Sequence, residues 1–388
     1  MLTKYRSIYS VSFAPLYIES LPIRYPLTLY FYEHDFIITH IHKNILELLN
    51  QPNSFTDILL STMICYYILK RPLMKGDRNM KIGVLGTGFG AYHVELYSQI
   101  KDVDTIYVFG RNSEKLENLK SKFGIQIVTD IDEIMETNDI DLVDLCLPNA
   151  LHRKYAIQAL EHGKHVFCET PVAYSMAEAI AMQNAKQKSG KQLMVDLFLR
   201  FEHAYEILAD ITQKGEYGNI HKIQIQRYTP PYWGDLGKTK IVTDLMMHDI
   251  DFISYLLGMP NKIEATKTVG KEGQCAVSAL CSYDNVFAEN NSSSMMPNTY
   301  PFAVSYEVIY DHAVVRYYED GYQDHMDTKL TVFTDGCRKD LPLLDNNCYD
   351  KAIHYALDMI QTTEKPKNDI SDALVSLEMA LKIKDLIL

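Results

Sequence analysis

The sequence has no C-x-x-C pair, no long apolar run and no excess of basic charge, and each absence closes off a class. Its 7 cysteines (Cys65, Cys146, Cys168, Cys275, Cys281, Cys337 and Cys348) are odd in number and scattered. That argues against a disulfide framework and against zinc held by paired thiolates, so no metal site is expected. It fits a reducing cytoplasm in which cysteines serve as small core residues. The longest strongly apolar stretch, Ile58 to Leu69, has 12 residues. It is too short to cross a bilayer and reads as a buried helix, so no membrane partner is expected. The first twenty residues lack the basic start, apolar block and cleavage site of a secretion signal. With 50 acidic against 38 basic side chains the formal net charge is −12, which disfavours nucleic acid over the whole surface. Internal repeats and low-complexity segments are also missing.

What is present is a chain of 388 residues, 47% hydrophobic and 23% charged, enough for two or three domains with full cores. Residues 1–79 are rich in Tyr, Leu and Ile and end in the polar, turn-prone Lys75-Gly76-Asp77-Arg78-Asn79. From Met80 to about Met194 strand and helix patterns alternate. Strands are expected at Lys81 to Leu85, Thr105 to Phe109, Gln126 to Val128, Leu142 to Cys146, His165 to Cys168 and Gln192 to Val195. Helices are expected between them, as at Ser113 to Phe123 and Leu151 to His162. Such alternation implies an α/β fold with a doubly wound parallel sheet. Beyond about residue 219 longer alternating strands take over, among them His221 to Tyr228, Ala276 to Tyr283 and Ala303 to Val308. Helical patterns return at Asp345 to Gln361 and Ser371 to Leu386. This second half reads as a large, open, mostly antiparallel sheet with helices on one face.

The most informative stretch is Met80 to Tyr92, where a branched apolar strand runs into Gly86-Thr87-Gly88-Phe89-Gly90-Ala91 and then a helix. This is the pattern of a strand, a tight turn and a helix opening beneath a pyrophosphate. Gly86 permits the turn, Gly88 allows close backbone approach, and Ala91 leaves room for helix against strand. The helix N-terminus offers N–H groups and partial positive charge to the anion.

Further motifs follow in order: Leu147-Pro148-Asn149 with His152, Cys168-Glu169-Thr170-Pro171, Phe198-Leu199-Arg200-Phe201, and Asp244-Leu245-Met246-Met247-His248-Asp249. Together with the glycine turn, over about residues 80–388, they resemble the GFO/IDH/MocA oxidoreductase family. The resemblance implies a Rossmann domain over 80–200 and a substrate and oligomerisation domain over 201–388, whose last helix packs back on the first. It implies NAD(P)-dependent hydride transfer to or from a small, sugar-like alcohol or ketone, and a homo-oligomer formed through the open sheet. It also assigns roles. Asn149 orients ribose or the nicotinamide amide, or is simply a turn asparagine. Glu169 accepts hydrogen bonds from cofactor ribose, with Leu147, Pro148, His152 and Arg200 around the cofactor. His248 is the proton donor or acceptor, and Asp244, four residues earlier, shares its helical face and helps bind substrate. Tyr228, Arg200 or Tyr205 would line the substrate side.

Two departures from the family pattern bear on chemistry. Thr170 stands where the family often has lysine, and losing a positioned ammonium removes transition-state stabilisation unless something replaces it. Either His248 carries the proton chemistry alone, or the substrate is an imine or conjugated double bond, or the protein binds cofactor as a non-catalytic regulator. Met246 replaces the glycine usual two residues after the aspartate. As for cofactor choice, Gly110 occupies the place of the acid that binds both ribose hydroxyls, and Arg111-Asn112 follow. An arginine there holds a 2′-phosphate or stacks on adenine, so NADP(H) is favoured and NAD(H) remains open.

Residues 1–79 fall outside that core. Leu27 to Tyr32 and Phe36 to His40 suggest a hairpin, followed by helices at Asn44 to Leu49 and Ser54 to Leu69. The order is similar to a winged-helix module of the kind that holds a leader peptide as an added strand, which would give a peptide or protein partner and a tailoring enzyme. The alternative is a packing extension. Eight scattered basic residues make no stripe for DNA.

Overall fold

Near-continuous apolar strands and alternating strands sort into two different sheets. The computed structural model describes residues 9–12, 28–31, 79–231, 236–344 and 347–388. Residues 1–76 and 77–388 form separate compact units. In the first, β1 (Tyr9–Ser12) and β2 (Thr28–Phe31) pair antiparallel, Tyr9 opposite Phe31. The strand expected within Leu27 to Tyr32 is therefore present, but its partner is Tyr9–Ser12. Phe36 to His40, the expected helices at 44–49 and 54–69, and the winged-helix reading lie outside the described residues.

The second unit begins with β3 (Met80–Leu85), α1 (Gly90–Tyr97), β4 (Val103–Phe109), α2 (Ser113–Phe123), β5 (Gln126–Val128), α3 (Ile131–Glu136) and β6 (Leu142–Leu145). It continues through α4 (His152–Glu161), β7 (His165–Cys168), α5 (Met176–Ser189) and β8 (Leu193–Val195). All strand pairs are parallel, in the order β5-β4-β3-β6-β7-β8. Leu142 to Leu145 and Leu193 to Val195 are buried at every position, as strands covered on both faces must be. Local chemistry sets the helix ends. Asn112 accepts a hydrogen bond from the Lys115 N–H at 3.0 Å to start α2, and Gly124, with φ +70°, closes it. Winding reverses between β3 and β6, and ligands of such sheets bind at the carboxyl ends beside that reversal.

Then come α6 (His203–Lys214), β9 (Ile220–Tyr228), a π-helical turn (Ile241–Met246) running into α7 (Met247–Leu257), and β10 (Lys262–Val269). They are followed by β11 (Cys275–Ser282), β12 (Phe287–Ser293), β13 (Phe302–Tyr310), β14 (Val314–Gly321), β15 (Met326–Phe333), β16 (Arg338–Leu341), α8 (Cys348–Met359) and α9 (Ile370–Ile387). The eight-stranded sheet runs β10-β11-β12-β9-β13-β14-β15-β16, antiparallel except where β12 meets β9. In β13 every second residue from Val304 to Tyr310 is buried, the alternation of a sheet covered on one face. The segment before α9 returns to the parallel sheet: the Val195 N–H donates to the Asn368 carbonyl at 2.9 Å, and Asn368 Nδ2 donates back to Val195 at 3.0 Å. No described helix is long and apolar enough to cross a membrane.

Candidate active site

The glycine turn is built from three different necessities. Gly86 has φ +118°, and a Cβ there would press into the Cys146 carbonyl oxygen, so no side chain fits. Gly88 has nothing within 4 Å of a would-be Cβ and is exposed, leaving its backbone open to a ligand. Gly90 opens α1, and its Cβ would lie 3.0 Å from the Cys146 Cβ and 3.2 Å from Val84. Close helix-to-strand packing thus rests on Gly90. The sequence reading gave that role to Ala91, which is only half-buried. Thr87 lies over Gly110, where a Cβ would come within 2.6 Å of its methyl group. Arg111 beyond it is exposed, and the Asn112 side chain caps α2.

Two loops at the carboxyl ends of β6 and β7 flank this turn. Leu147, Pro148 and Asn149 lead into a 3-10 turn (Asn149–Leu151), and Glu169-Thr170-Pro171 contains a cis Thr170–Pro171 bond. His152, fully buried at the start of α4, ties the loops together: Nε2 lies 2.9 Å from the Leu147 carbonyl and Nδ1 3.2 Å from that of Pro171. Burial outweighs both carbonyls and lowers its pKa, so the ring is neutral, donates to one of the two carbonyls at a time, and works from behind the loops.

His248 stands in the first turn of α7. With Thr170, Phe198, Met247 and Asp251 it lines a small cavity, so the loop after β7 and the start of α7 meet there. Burial, and next the positive charge of Arg227, lower its pKa to about 3, which leaves a neutral imidazole near neutral pH. Two buried arginines fix α7 from beneath. Arg227 clamps Asp249 at 2.9 and 2.8 Å, and Arg200 clamps Asp251 at 2.9 and 2.6 Å. Arg200 is 3% exposed and also donates to the Lys367 carbonyl, so the structure does not bring it to the cleft. Tyr205 likewise sits in the core, edge-on to Phe252 at 4.7 Å and to Tyr306 at 5.2 Å. Tyr228 remains half-buried at the end of β9.

Asp244 lies in the π-helical turn and accepts from Thr243 Oγ1 at 2.7 Å. The i, i+4 alignment with His248 assumes 3.6 residues per turn, but the pitch changes between them at Met247. Partial desolvation, and next the Asp244 carboxylate, raise the pKa of the exposed Tyr174. Sequence reasoning missed Tyr174. It also missed a row of rings from the glycine turn to His248. Phe89 meets Tyr349 at 5.2 Å, Tyr349 stacks on Phe198 at 4.8 Å, and Phe198 meets His248 at 4.7 Å. No spacing rule links positions 89, 198 and 349; only the packing of α8 against α1 and against the 3-10 turn Phe198–Phe201 joins them.

Comparison with known proteins agrees with the fold. Residues 80–197 match the family described as GFO/IDH/MocA oxidoreductases with an NAD-binding Rossmann fold. An inositol 2-dehydrogenase of Rhodococcus jostii is 29% identical over 187 residues, 47% of this chain and 51% of its own length. A glucose-6-phosphate 3-dehydrogenase of Bacillus subtilis is 29% identical over 188 residues, 45% of this chain and 53% of its own. The chain therefore spans about half the length of the curated relatives it matches. Among solved structures, a UDP-N-acetylglucosamine 3-dehydrogenase of Acidithiobacillus ferrooxidans superposes with a TM-score of 0.70 at 19% identity, covering 79% of this chain and 97% of that one. A biliverdin reductase of Synechocystis, solved with biliverdin and NADP+, gives 0.67 at 16% identity, covering 80% and 99%. These likenesses show the two-sheet fold.

Proposed function

We propose that this chain, whose residues 80–197 match the NAD-binding Rossmann domain of the GFO/IDH/MocA oxidoreductases, is an NAD(P)-dependent oxidoreductase acting on a small molecule. The observation that carries the reading is convergence: an open glycine turn, two strand-end loops and His248 meet along one edge of a parallel sheet.

The residues fit a dinucleotide. Gly86 to Ala91 would cradle its pyrophosphate, with the backbone at Gly88 unobstructed. Leu147, Pro148 and Asn149 would border its ribose and amide, Glu169 would accept hydrogen bonds from the ribose, and His152 would hold that border in place. The cofactor, when bound, supplies or accepts a hydride at its nicotinamide. Arg111 beside a position with no carboxylate favours NADP(H): the 2′-phosphate meets a cation and no like charge. Asp244, Thr170 and His248 would face the reacting carbon's substituents. The neutral His248 ring offers one N–H and one lone pair, so it can accept a hydrogen bond from a substrate hydroxyl or donate one to a carbonyl.

One observation favours a second substrate class. The His248 cavity receives Thr170, Phe198, Leu199 and Met247, and Thr170 supplies a hydroxyl where the family often places an ammonium. An imine or conjugated double bond, as in natural-product tailoring, needs less polarisation than a ketone and suits such a lining. Sugar-like alcohols or ketones remain the first reading. A homo-oligomer paired through the uncovered face of the eight-stranded sheet completes the proposal.

The test separates binding from turnover. His248→Ala is expected to abolish turnover on any substrate accepted by the wild type, while NADPH binding stays within about threefold, well under the 1.4 kcal/mol of a tenfold change. Undiminished turnover would remove His248 from the chemistry.

A further inference from the structure

Glu169, which would accept hydrogen bonds from the cofactor ribose, is itself held from beneath by side chains that hydride transfer leaves unused. His93 stands on α1, Asp144 in β6, Cys146 just after it and Asp196 just after β8. His93 and Asp144 are fully buried, Asp196 is 1% exposed, and the Glu169 side chain is 17% exposed. One end of the imidazole is fixed. Nδ1 lies 2.8 Å from Asp144 Oδ2 and 3.4 Å from Cys146 Sγ, and the Cys146 thiol donates to Asp144 Oδ1 at 3.3 Å. The other end meets the ribose acceptor, with Nε2 3.1 Å from Glu169 Oε1 and 3.8 Å from Asp196 Oδ2.

Geometry and charge agree on where the protons lie. Nε2 and Oε1 are both buried and neither has another hydrogen-bond partner, so a ring proton between them satisfies both atoms. Desolvation works against a charged ring, but the Cys146 sulfur and the Asp144 carboxylate outweigh it and raise the His93 pKa well above the usual histidine value. The imidazole therefore carries a proton on each nitrogen near neutral pH. Burial, and next the charge of Glu169, raise the Asp196 pKa well above the carboxylate range, so that side chain is a neutral acid whose proton also goes to Glu169. The Glu169 backbone is anchored as well, its N–H donating to the Leu145 carbonyl at 3.1 Å.

We propose that His93 is the positioning residue for Glu169: one ring N–H donates to Asp144, the other to Glu169 Oε1, and the carboxylate so aimed presents its second oxygen to the ribose hydroxyls of the cofactor. The inference rests on the dinucleotide reading of this sheet edge. A carboxylate already fixed by a buried cation has little side-chain freedom left to lose when ribose arrives, so the ordering is done before binding. His93 lies on the helix that opens beneath the pyrophosphate. The same side chain therefore ties that helix to the loop after β7 and sets the ribose acceptor at a fixed place relative to the phosphate cradle. The charge of the ring also offsets one of the two buried carboxylates, Asp144 and Glu169, that it joins.

The experiment reads nucleotide affinity and the ring protons separately, in the full chain. His93→Asn keeps a donor for Asp144 and withdraws the one for Glu169, whereas the longer side chain of His93→Gln can still donate to Glu169. NADPH should bind His93→Asn about tenfold or more weakly, as the loss of one hydrogen bond to a charged group implies, and His93→Gln should recover most of that loss. Adenosine 2′-phosphate 5′-diphosphate, which ends at the pyrophosphate, should bind both variants as it binds the wild type. In a Glu169→Ala background His93→Asn should weaken NADPH no further. In wild-type protein carrying 15N-labelled histidine, the His93 signals, identified by their loss in His93→Asn, should show both ring nitrogens protonated near neutral pH. A bare Nε2, unchanged NADPH affinity in His93→Asn, or equal weakening of NADPH and the shorter nucleotide would overturn the proposal. Wild-type protein that binds neither nucleotide yet shows both ring protons would sink the dinucleotide reading, and the ribose role of His93 with it. The wild-type spectrum decides even where a variant fails to fold.

Discussion

Two alanines placed two residues apart should fail in opposite ways. At Gly86 the backbone has φ +118° and the new methyl group meets the Cys146 carbonyl, so Gly86→Ala must strain or displace the turn. Such strain costs of order 1–3 kcal/mol, a melting temperature lower by several degrees, before any ligand is added. At Gly88 the same methyl meets nothing within 4 Å, so stability should stay within about 0.5 kcal/mol of the wild type. The methyl would instead stand where the pyrophosphate approaches. NADPH affinity should then fall about tenfold or more, at least 1.4 kcal/mol, in a protein that melts normally. Differential scanning fluorimetry and a nucleotide fluorescence titration on both variants measure the two quantities. Normal NADPH affinity in Gly88→Ala, or equal destabilisation by both substitutions, would refute the phosphate-cradle reading.

Other consequences follow from the ion pairs, the buried ring and the strand end. Arg227→Met strands Asp249 in the core and should destabilise by about 3–5 kcal/mol in denaturant titration, whereas Arg227→Met with Asp249→Leu should recover most of it. The folded His248 ring gains its proton only below about pH 3, and an unfolded histidine does so near 6.5. Its contribution to stability is thus full above pH 6.5 and is lost as pH falls toward 3. His248→Asn should flatten the melting-temperature profile across that window, and an unchanged slope would contradict the burial argument. Gly110→Asp made together with Thr87→Ala, which clears the 2.6 Å contact, should move preference from NADPH toward NADH; paired dissociation constants check it.

The parallel half was legible because its signals are local. Ser113–Phe123, Gln126–Val128 and His165–Cys168 fall where apolar runs, caps and glycines put them. The longer strands of the second half match expectation to within two residues at either end, since alternation gives a face but no sharp stop. Arg200 and Tyr205 read as site residues and lie instead in an ion pair and an aromatic core. A buried arginine looks like an exposed one until Asp251, 51 positions away, is placed beside it. The π-helical turn before His248 was invisible because an extra residue in one turn leaves the apolar pattern nearly intact. Tyr349 in the ring row and the His93–Asp144–Glu169–Asp196 cluster depend on contacts across the fold, which no spacing encodes.

The most direct measurement is a parallel thermal titration of the purified full chain with NADPH and NADH. Selective binding to the folded state must raise the melting temperature as nucleotide exceeds its dissociation constant. A rise with both nucleotides, larger with NADPH, is the predicted result. A well-folded protein whose melting temperature moves with neither at millimolar nucleotide would contradict the claim that this sheet edge is a dinucleotide site.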